Sequence, residues 1–146
     1  MGHEPPLIAL AEDDDGTAFL IERNLTRAKF VRSVHRLRDG QDALDFVRCE
    51  GIYSGRDRKE RILLLLDIKM PRVDGVEALR QLKSDKRTAL VPVIMLTSSD
   101  NPSEIRTCYE LGCNAYVTKP VEYAMFAETL NRLGEILGIV RFPECG

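Results

Sequence analysis

Two rhythms of apolar and polar residues alternate along the chain. Short strand-like stretches recur at Leu7–Ala11 (LIALA), Phe30–Leu37, Ile62–Leu66 (ILLLL), Leu90–Thr97 (LVPVIMLT) and Asn114–Thr118. Between and after them, apolar residues return every three or four positions, the period of a helix with one buried face. Ala18, Ile21, Leu25 and Ala28 form the first such face, opened by Gly16 and Thr17. Ala43, Leu44 and Val47 form a second within Gln41–Arg48, and Val76, Leu79 and Leu82 a third that runs to about Ser84. The fourth helix has a strong start signal in Asn101-Pro102-Ser103-Glu104: Asn as cap, Pro at the first turn, Glu completing a capping box. Ile105, Cys108 and Leu111 are its predicted buried side, and Gly112 its stop. Phe126, Leu130, Leu133 and Leu137 define a fifth helix.

Strands and helices alternating with short connections predict a parallel sheet covered by helices on both faces. The unbroken run Ile62–Leu66 fits the centre of such a sheet, where a strand is buried on both sides. Phe30–Leu37, with Val31, Ser33 and His35 on one side and Arg32, Val34 and Arg36 on the other, fits a strand nearer the edge. Cys49–Arg61, with two glycines and the run Arg56-Asp57-Arg58-Lys59-Glu60-Arg61, is expected to be a long solvated loop. No repeat or low-complexity segment appears, so residues 1–146 are expected to form a single domain with its core between about residues 7 and 137.

Composition narrows the class only modestly. A hydrophobic content of 44% and a charged content of 30% describe an ordinary globular protein. A net charge of −2 supplies no global footprint for nucleic acid, and the one basic run is broken by two acids. The first residues, MGHEPPLIALA, lack the basic and long apolar regions of a secretory signal, and no stretch is long enough to span a membrane; a cytoplasmic location is the expectation. Cys49, Cys108, Cys113 and Cys145 form no C-x-x-C pair, and His3 and His35 lie far from them, which argues for reduced thiols rather than a zinc site.

The chemistry gathers where strands end. The first strand runs into Glu12 and Asp13, the third into Asp67, the fourth ends in Thr97 and the fifth in Lys119. In a parallel sheet these ends share one edge, the edge at which open α/β sheets bind ligands. Taken singly, each has a plainer reading: Asp67 as a turn residue, Thr97 as a β-former, Tyr116 as a packing residue, Asp14 and Asp15 as loop acids that help begin the first helix. Taken jointly, three neighbouring carboxylates repel one another unless a cation sits among them, and hard oxygen donors in that number suit Mg²⁺. A carboxylate beside Mg²⁺, an ammonium and a hydroxyl is equipped to accept a phosphoryl group as nucleophile, with charge on the phosphoryl oxygens neutralised by its neighbours.

Four segments in order, Ala11–Asp14 (AEDD), Leu65–Gly75 (LLDIKMPRVDG), Met95–Ser98 (MLTS) and Tyr116–Pro120 (YVTKP), resemble the receiver domain of two-component response regulators. The resemblance covers roughly Leu7 to Leu137. It implies a flavodoxin-like, doubly wound five-stranded sheet of order 2-1-3-4-5. It implies that Asp67 takes a phosphoryl group from a histidine kinase, that Glu12 and Asp13 are the acid pair with Asp13 the direct Mg²⁺ ligand, and that the Lys69 backbone carbonyl joins the metal shell. Thr97 and Tyr116 match the switch pair, Lys119 the lysine of the site, and the Lys119–Pro120 bond is expected in cis. Glu12 stands where aspartate is more frequent, and Lys69 and Ser99 occupy variable flanking positions.

The long loop before the third strand, the PSEIR helix start and the VRFP tail are similar to stand-alone regulators paired with bacterial phytochrome kinases. The shortness of the chain after the last predicted helix leads us to expect no DNA-binding output domain, and the likeness implies a homodimer through the fourth helix, fifth strand and fifth helix. Other classes fit less well. A phosphatase with a strand-end aspartate nucleophile needs a second acid where Lys69 stands. A flavin carrier needs a hydroxyl-and-glycine loop where Glu12 and Asp13 stand, and a phosphorylation-independent adaptor would be expected to have lost part of the site.

Overall fold

The computed structural model describes residues 5–143; His3 and Cys145 lie outside the described residues. Five strands, β1 (Leu7–Ala11), β2 (Ser33–Leu37), β3 (Ile62–Leu66), β4 (Val93–Thr97) and β5 (Ala115–Thr118), alternate with helices α1 (Asp15–Thr26), α2 (Gly40–Arg48), α3 (Gly75–Ser84), α4 (Pro102–Leu111) and α5 (Tyr123–Ile136). All strand pairs are parallel, and the sheet order is β2-β1-β3-β4-β5, the flavodoxin-like arrangement. Each helix crosses back to start the next strand, which leaves every strand's carboxyl end on the same edge.

The leucines of β3 show why the run is unbroken. Leu63 and Leu65 point into a core shared with Ile8, Leu10, Ile21, Leu25, Phe126 and Leu130, between the sheet and the α1–α5 layer. Ile62, Leu64 and Leu66 point the other way, against Leu44, Leu79, Leu82 and Cys108 of α2, α3 and α4. A strand whose alternate side chains fill two cores has no solvent face on which to place polar residues. Burying each such leucine contributes about 2 kcal/mol relative to exposure, so β3 anchors both layers. No helix among the described residues is long and apolar enough to cross a membrane.

Strands β2 and β4 each begin three residues later than the sequence pattern predicts. Strand β2 begins at Ser33, because the Val31 N–H closes a turn onto Ala28 O (3.2 Å) and the Val31 side chain drops into the α1–α5 core. Strand β4 begins at Val93; Leu90 is 73% exposed, and Val91 turns back on Thr88 O. The segment after Cys49 is a loop largely open to solvent, as expected, with some local order of its own. It holds a 3-10 turn at Gly51–Tyr53, and Arg56 folds back to donate to Phe46 O (3.0 Å) and Glu60 (2.8 Å) while covering the Phe46 ring. His35 stacks on the same ring, with centroids 4.9 Å apart. Cys49, Cys108 and Cys113 are buried, free thiols, and burial pushes Cys108 up to about 11, which keeps it protonated and unreactive.

Two glycines let backbone approach backbone around the loop after β3. A Cβ on Gly75 would lie 1.9 Å from Asp67 O, and one on Gly40 1.9 Å from Val73 O. The Gly75 N–H donates to Ile68 O at 2.8 Å, and Asp74 caps α3 by accepting from the Glu77 N–H. Substitution Gly75→Ala forces that contact apart. It is expected to destabilise the protein by about 2 kcal/mol, read as a lowered midpoint in urea unfolding with an unchanged slope.

Candidate functional site

The strand ends converge as the topology requires. Glu12 follows β1 directly, and Asp67 follows β3; the Asp67 N–H donates to Ala11 O (3.1 Å), placing the two acids side by side. Glu12 and Asp67 are buried, Asp13 is exposed, and one carboxylate oxygen from each of the three lies within 4.8 Å of the others. Lys119, just beyond β5, reaches into the cluster: its Nζ lies 2.5 Å from Glu12 Oε1 and 3.0 Å from Asp67 Oδ2. The second Glu12 oxygen accepts from the Asp14 N–H (3.1 Å), and Asp67 Oδ1 from the Ile68 N–H (2.7 Å). Each buried acid thus has a partner on both oxygens, as buried charge demands.

Burial pushes the Glu12 carboxyl above its ordinary value in spite of Lys119, which pulls the other way. Burial likewise works against the Lys119 charge, but its bond to Glu12 and the field of Asp67 outweigh it and hold the ammonium above the ordinary lysine range. The donor set is all oxygen and net anionic even with Lys119 counted, which fits a hard divalent cation. Lys69 is exposed, in the loop between Asp67 and Gly75 on the same edge.

Thr97 is buried at the end of β4, and its carbonyl accepts from the Lys119 N–H (2.8 Å). Tyr116 lies in β5 opposite Met95; its half-buried ring donates through the hydroxyl to Ser99 O (2.9 Å), and its backbone N–H donates to the Tyr109 hydroxyl (3.1 Å). The ring therefore sits over the β4–α4 loop rather than in solvent.

Two expectations are corrected here. The Lys119–Pro120 bond is trans, with no cis peptide among the described residues. Trans is favoured by about 0.5–1 kcal/mol even before proline, and Lys119 reaches both acids from that geometry. The capping box on α4 does not form. Asn101 accepts from the Ser103 N–H (2.8 Å) as a cap, but Glu104 turns to the Ser99 hydroxyl, which itself accepts from the Asn101 N–H.

Asp14 helps begin α1 as expected, whereas the arginines that hold the acidic loop were less visible in the sequence. Asp14 is the cap of α1, accepting from the Thr17 N–H (2.8 Å) and hydroxyl (2.7 Å), and those bonds hold its carboxyl below the usual range. Asp15 pairs with Arg36 (2.6 Å) and Arg38 (3.2 Å) of the neighbouring strand segment. Two arginines at the end of an edge strand, opposite four consecutive acids, were the available signal.

A five-stranded doubly wound sheet with acids, a hydroxyl and an ammonium gathered on its carboxyl edge defines the chain's class. It belongs to the response regulator receiver domain family, whose sequence model matches residues 8–131, and acceptance of a phosphoryl group is typical of that family. Within the family the chain is related to phytochrome response regulators. It is 34% identical over 115 residues to response regulator Rcp1 of Synechocystis, covering 79% of this chain and 77% of Rcp1. The Mn²⁺-bound structure of Rcp1 superposes with a TM-score of 0.88 at 30% identity, over 95% of this chain and 99% of that one. The phosphorylated structure of the cyanobacterial phytochrome response regulator RcpA also gives 0.88, at 31% identity over 98% and 100%. The chain is further 36% identical over 141 residues to the "Probable methanogenesis regulatory protein FilR2" of Methanothrix harundinacea, covering 96% of this chain and 89% of that protein.

Replacing Lys119 with alanine leaves Glu12 and Asp67 buried without a counter-charge. Stability measured without divalent metal is expected to fall by about 3 kcal/mol at neutral pH. Glu12 is a group whose folded pKa is raised, so its favourable contribution is complete below its ordinary 4.5 and is lost as pH rises through the folded value. Without Lys119 that value rises further, so the gap between Lys119→Ala and the parent protein widens from about pH 4.5 upward in thermal melts.

Proposed function

We propose that the chain works as a single-domain response regulator that takes a phosphoryl group from a sensor histidine kinase on Asp67. The observation that carries this reading is the contact of Lys119 Nζ with both Glu12 and Asp67, beside the exposed carboxylate of Asp13. One Asp67 oxygen attacks phosphorus, the bond from phosphorus to the donor's histidine nitrogen breaks, and an acyl phosphate forms. Lys119 holds the carboxylate in place beforehand and faces the phosphoryl oxygens afterwards, exchanging one anionic partner for another. In this reading Thr97, buried at the end of β4 on the same edge, donates its hydroxyl to a phosphoryl oxygen, and Tyr116 follows it as the second half of the switch.

Glu12, Asp13, Asp67 and the Lys69 carbonyl are the groups that would hold Mg²⁺, with Asp13 and Asp67 as direct ligands. When bound, Mg²⁺ would neutralise charge that builds on the phosphoryl oxygens. Glu12 already has both oxygens engaged, by Lys119 and the Asp14 N–H, which suits a role through water. The same site would later admit water to return the acyl phosphate to the carboxylate, so turnover is limited to the protein's own phosphoryl group. The kinship with phytochrome regulators supports a bacteriophytochrome-type kinase as phosphoryl donor, and a cytoplasmic location follows from that partnership.

Incubation with acetyl phosphate and Mg²⁺ should add one phosphoryl group to the intact mass, and Asp67→Asn should abolish the gain. Absence of the gain in the parent protein, or its persistence in Asp67→Asn, rejects the acceptor assignment.

A homodimer through α4, β5 and α5 is the second part of the proposal. Exposed Tyr109, Met125 and Ile136 stand on those helices beside the Arg106–Glu110 and Arg132–Glu128 ion pairs, an apolar and charged mixture suited to pairing with a second copy. Sedimentation velocity should show a dimer that Ile136→Arg dissociates; a monomer at every concentration, with or without acetyl phosphate, rejects it.

A further inference from the structure

Strand β2 lies at the sheet edge, and its last turns of chain meet the loop that carries the acids. Leu10 pairs with Arg36 in the parallel register, and the Glu12 N–H donates to Leu37 O (3.0 Å). The Arg36 guanidinium, 14% exposed, then reaches across the loop. Its Nε and Nη2 donate to the Glu12 carbonyl at 3.0 and 2.9 Å, and its Nη1 donates to Asp15 Oδ1 at 2.6 Å. The planar fork thus fixes the residue immediately before Asp13 and the residue two after it. Asp13 is exposed, so its place beside Glu12 and Asp67 depends on the backbone at its two ends.

We propose that Arg36 is a positioning residue for the cation site, a clamp on the β1–α1 loop that sets where the Asp13 carboxylate stands. This rests on the reading of Glu12, Asp13 and Asp67 as a Mg²⁺ site. The clamp needs the geometry of a guanidinium, since a lysine has the charge but no rigid fork. Groups that orient metal ligands from behind typically change affinity by about tenfold or more when removed. Charge and geometry here act in opposite directions. A positive charge near the site disfavours a second cation, so loss of charge alone would tighten Mg²⁺ binding. Loss of the clamp weakens it.

The test is Mg²⁺ affinity of the unphosphorylated full chain, measured by isothermal titration calorimetry, with the metal-free melting temperature recorded for each variant. Arg36→Gln and Arg36→Lys are both expected to bind Mg²⁺ about tenfold more weakly. Arg38→Gln, which removes a neighbouring charge that does not touch Glu12, is expected to bind at least as tightly as the parent protein. Tighter binding by Arg36→Gln with unchanged binding by Arg36→Lys overturns the proposal in favour of a pure charge effect; unchanged binding by both overturns it outright.

Asp15 is 80% exposed, so Asp15→Asn keeps the fold even where an Arg36 variant does not. It should weaken Mg²⁺ binding more in the parent protein than in Arg36→Lys, where one arm of the clamp is already lost. Equal loss in both backgrounds overturns the clamp. Asp13→Ala separates the two levels of the argument. If Mg²⁺ binding ignores Asp13, the cation-site reading fails and takes the clamp with it; if Asp13→Ala weakens binding and the Arg36 variants do not, the clamp alone fails.

Discussion

One ammonium holds two buried carboxylates in a place where water would otherwise be needed. Lys119 sits between Glu12 and Asp67, and those three residues follow β1, β3 and β5, of which β1 and β3 are neighbours in the sheet although β2 separates them in the chain. Two carboxylates at this depth, without a cation, would repel each other and resist ionisation. The ion triad is therefore a condition on the whole fold. β1 and β3 must be neighbours, β5 must end at the same edge, and the helices must return each strand in the same direction. Buried ion groups of this kind add little net stability compared with apolar packing.

The energy that enforces the arrangement is apolar. The two leucine faces of β3 bind the layers together, and the site occupies the rim of that core. Burial near the rim is graded: Glu12 and Asp67 are covered while Asp13 is open. On the proposed reading, a covered acceptor beside an open ligand gives a site that is preorganised on one side and accessible on the other. The same gradient separates the acids by role, since Glu12 has its oxygens committed to protein donors and Asp13 does not lie under cover.

Features set by local pattern or by parallel topology were legible in the sequence, and particular side-chain pairings between distant segments were not. The ILLLL run announced a strand buried on both faces, and Gly112 announced the end of α4, where it adopts φ 109°. The convergence of Glu12, Asp13, Asp67 and Lys119 was legible because parallel topology fixes which ends meet. Strand β2 was overextended because Val31 looks like a strand residue but serves the α1–α5 core. Glu104 had the spacing of a capping box, yet the Ser99 hydroxyl offered a competing partner. Arg36 was read only as one side of an alternating strand; its fork becomes meaningful once β2 is known to lie beside the β1–α1 loop.

The close approaches at Gly40 and Gly75 have a mechanical meaning. The loop beneath Asp67 is wedged at Val73 against the start of α2, and at Asp67 itself against the start of α3, with no room for even a methyl group at either point. Arg72, in the left-handed region at φ 66°, is tethered to the Asp39 carboxylate and closes the same stretch from outside. That flank of the rim is stiff. The opposite flank is looser, because β5 is only half covered and Tyr116 hangs over the β4–α4 loop from a single hydroxyl bond. Space for a side chain to shift at the rim is thus found on the β5 side and not on the side of Gly40 and Gly75.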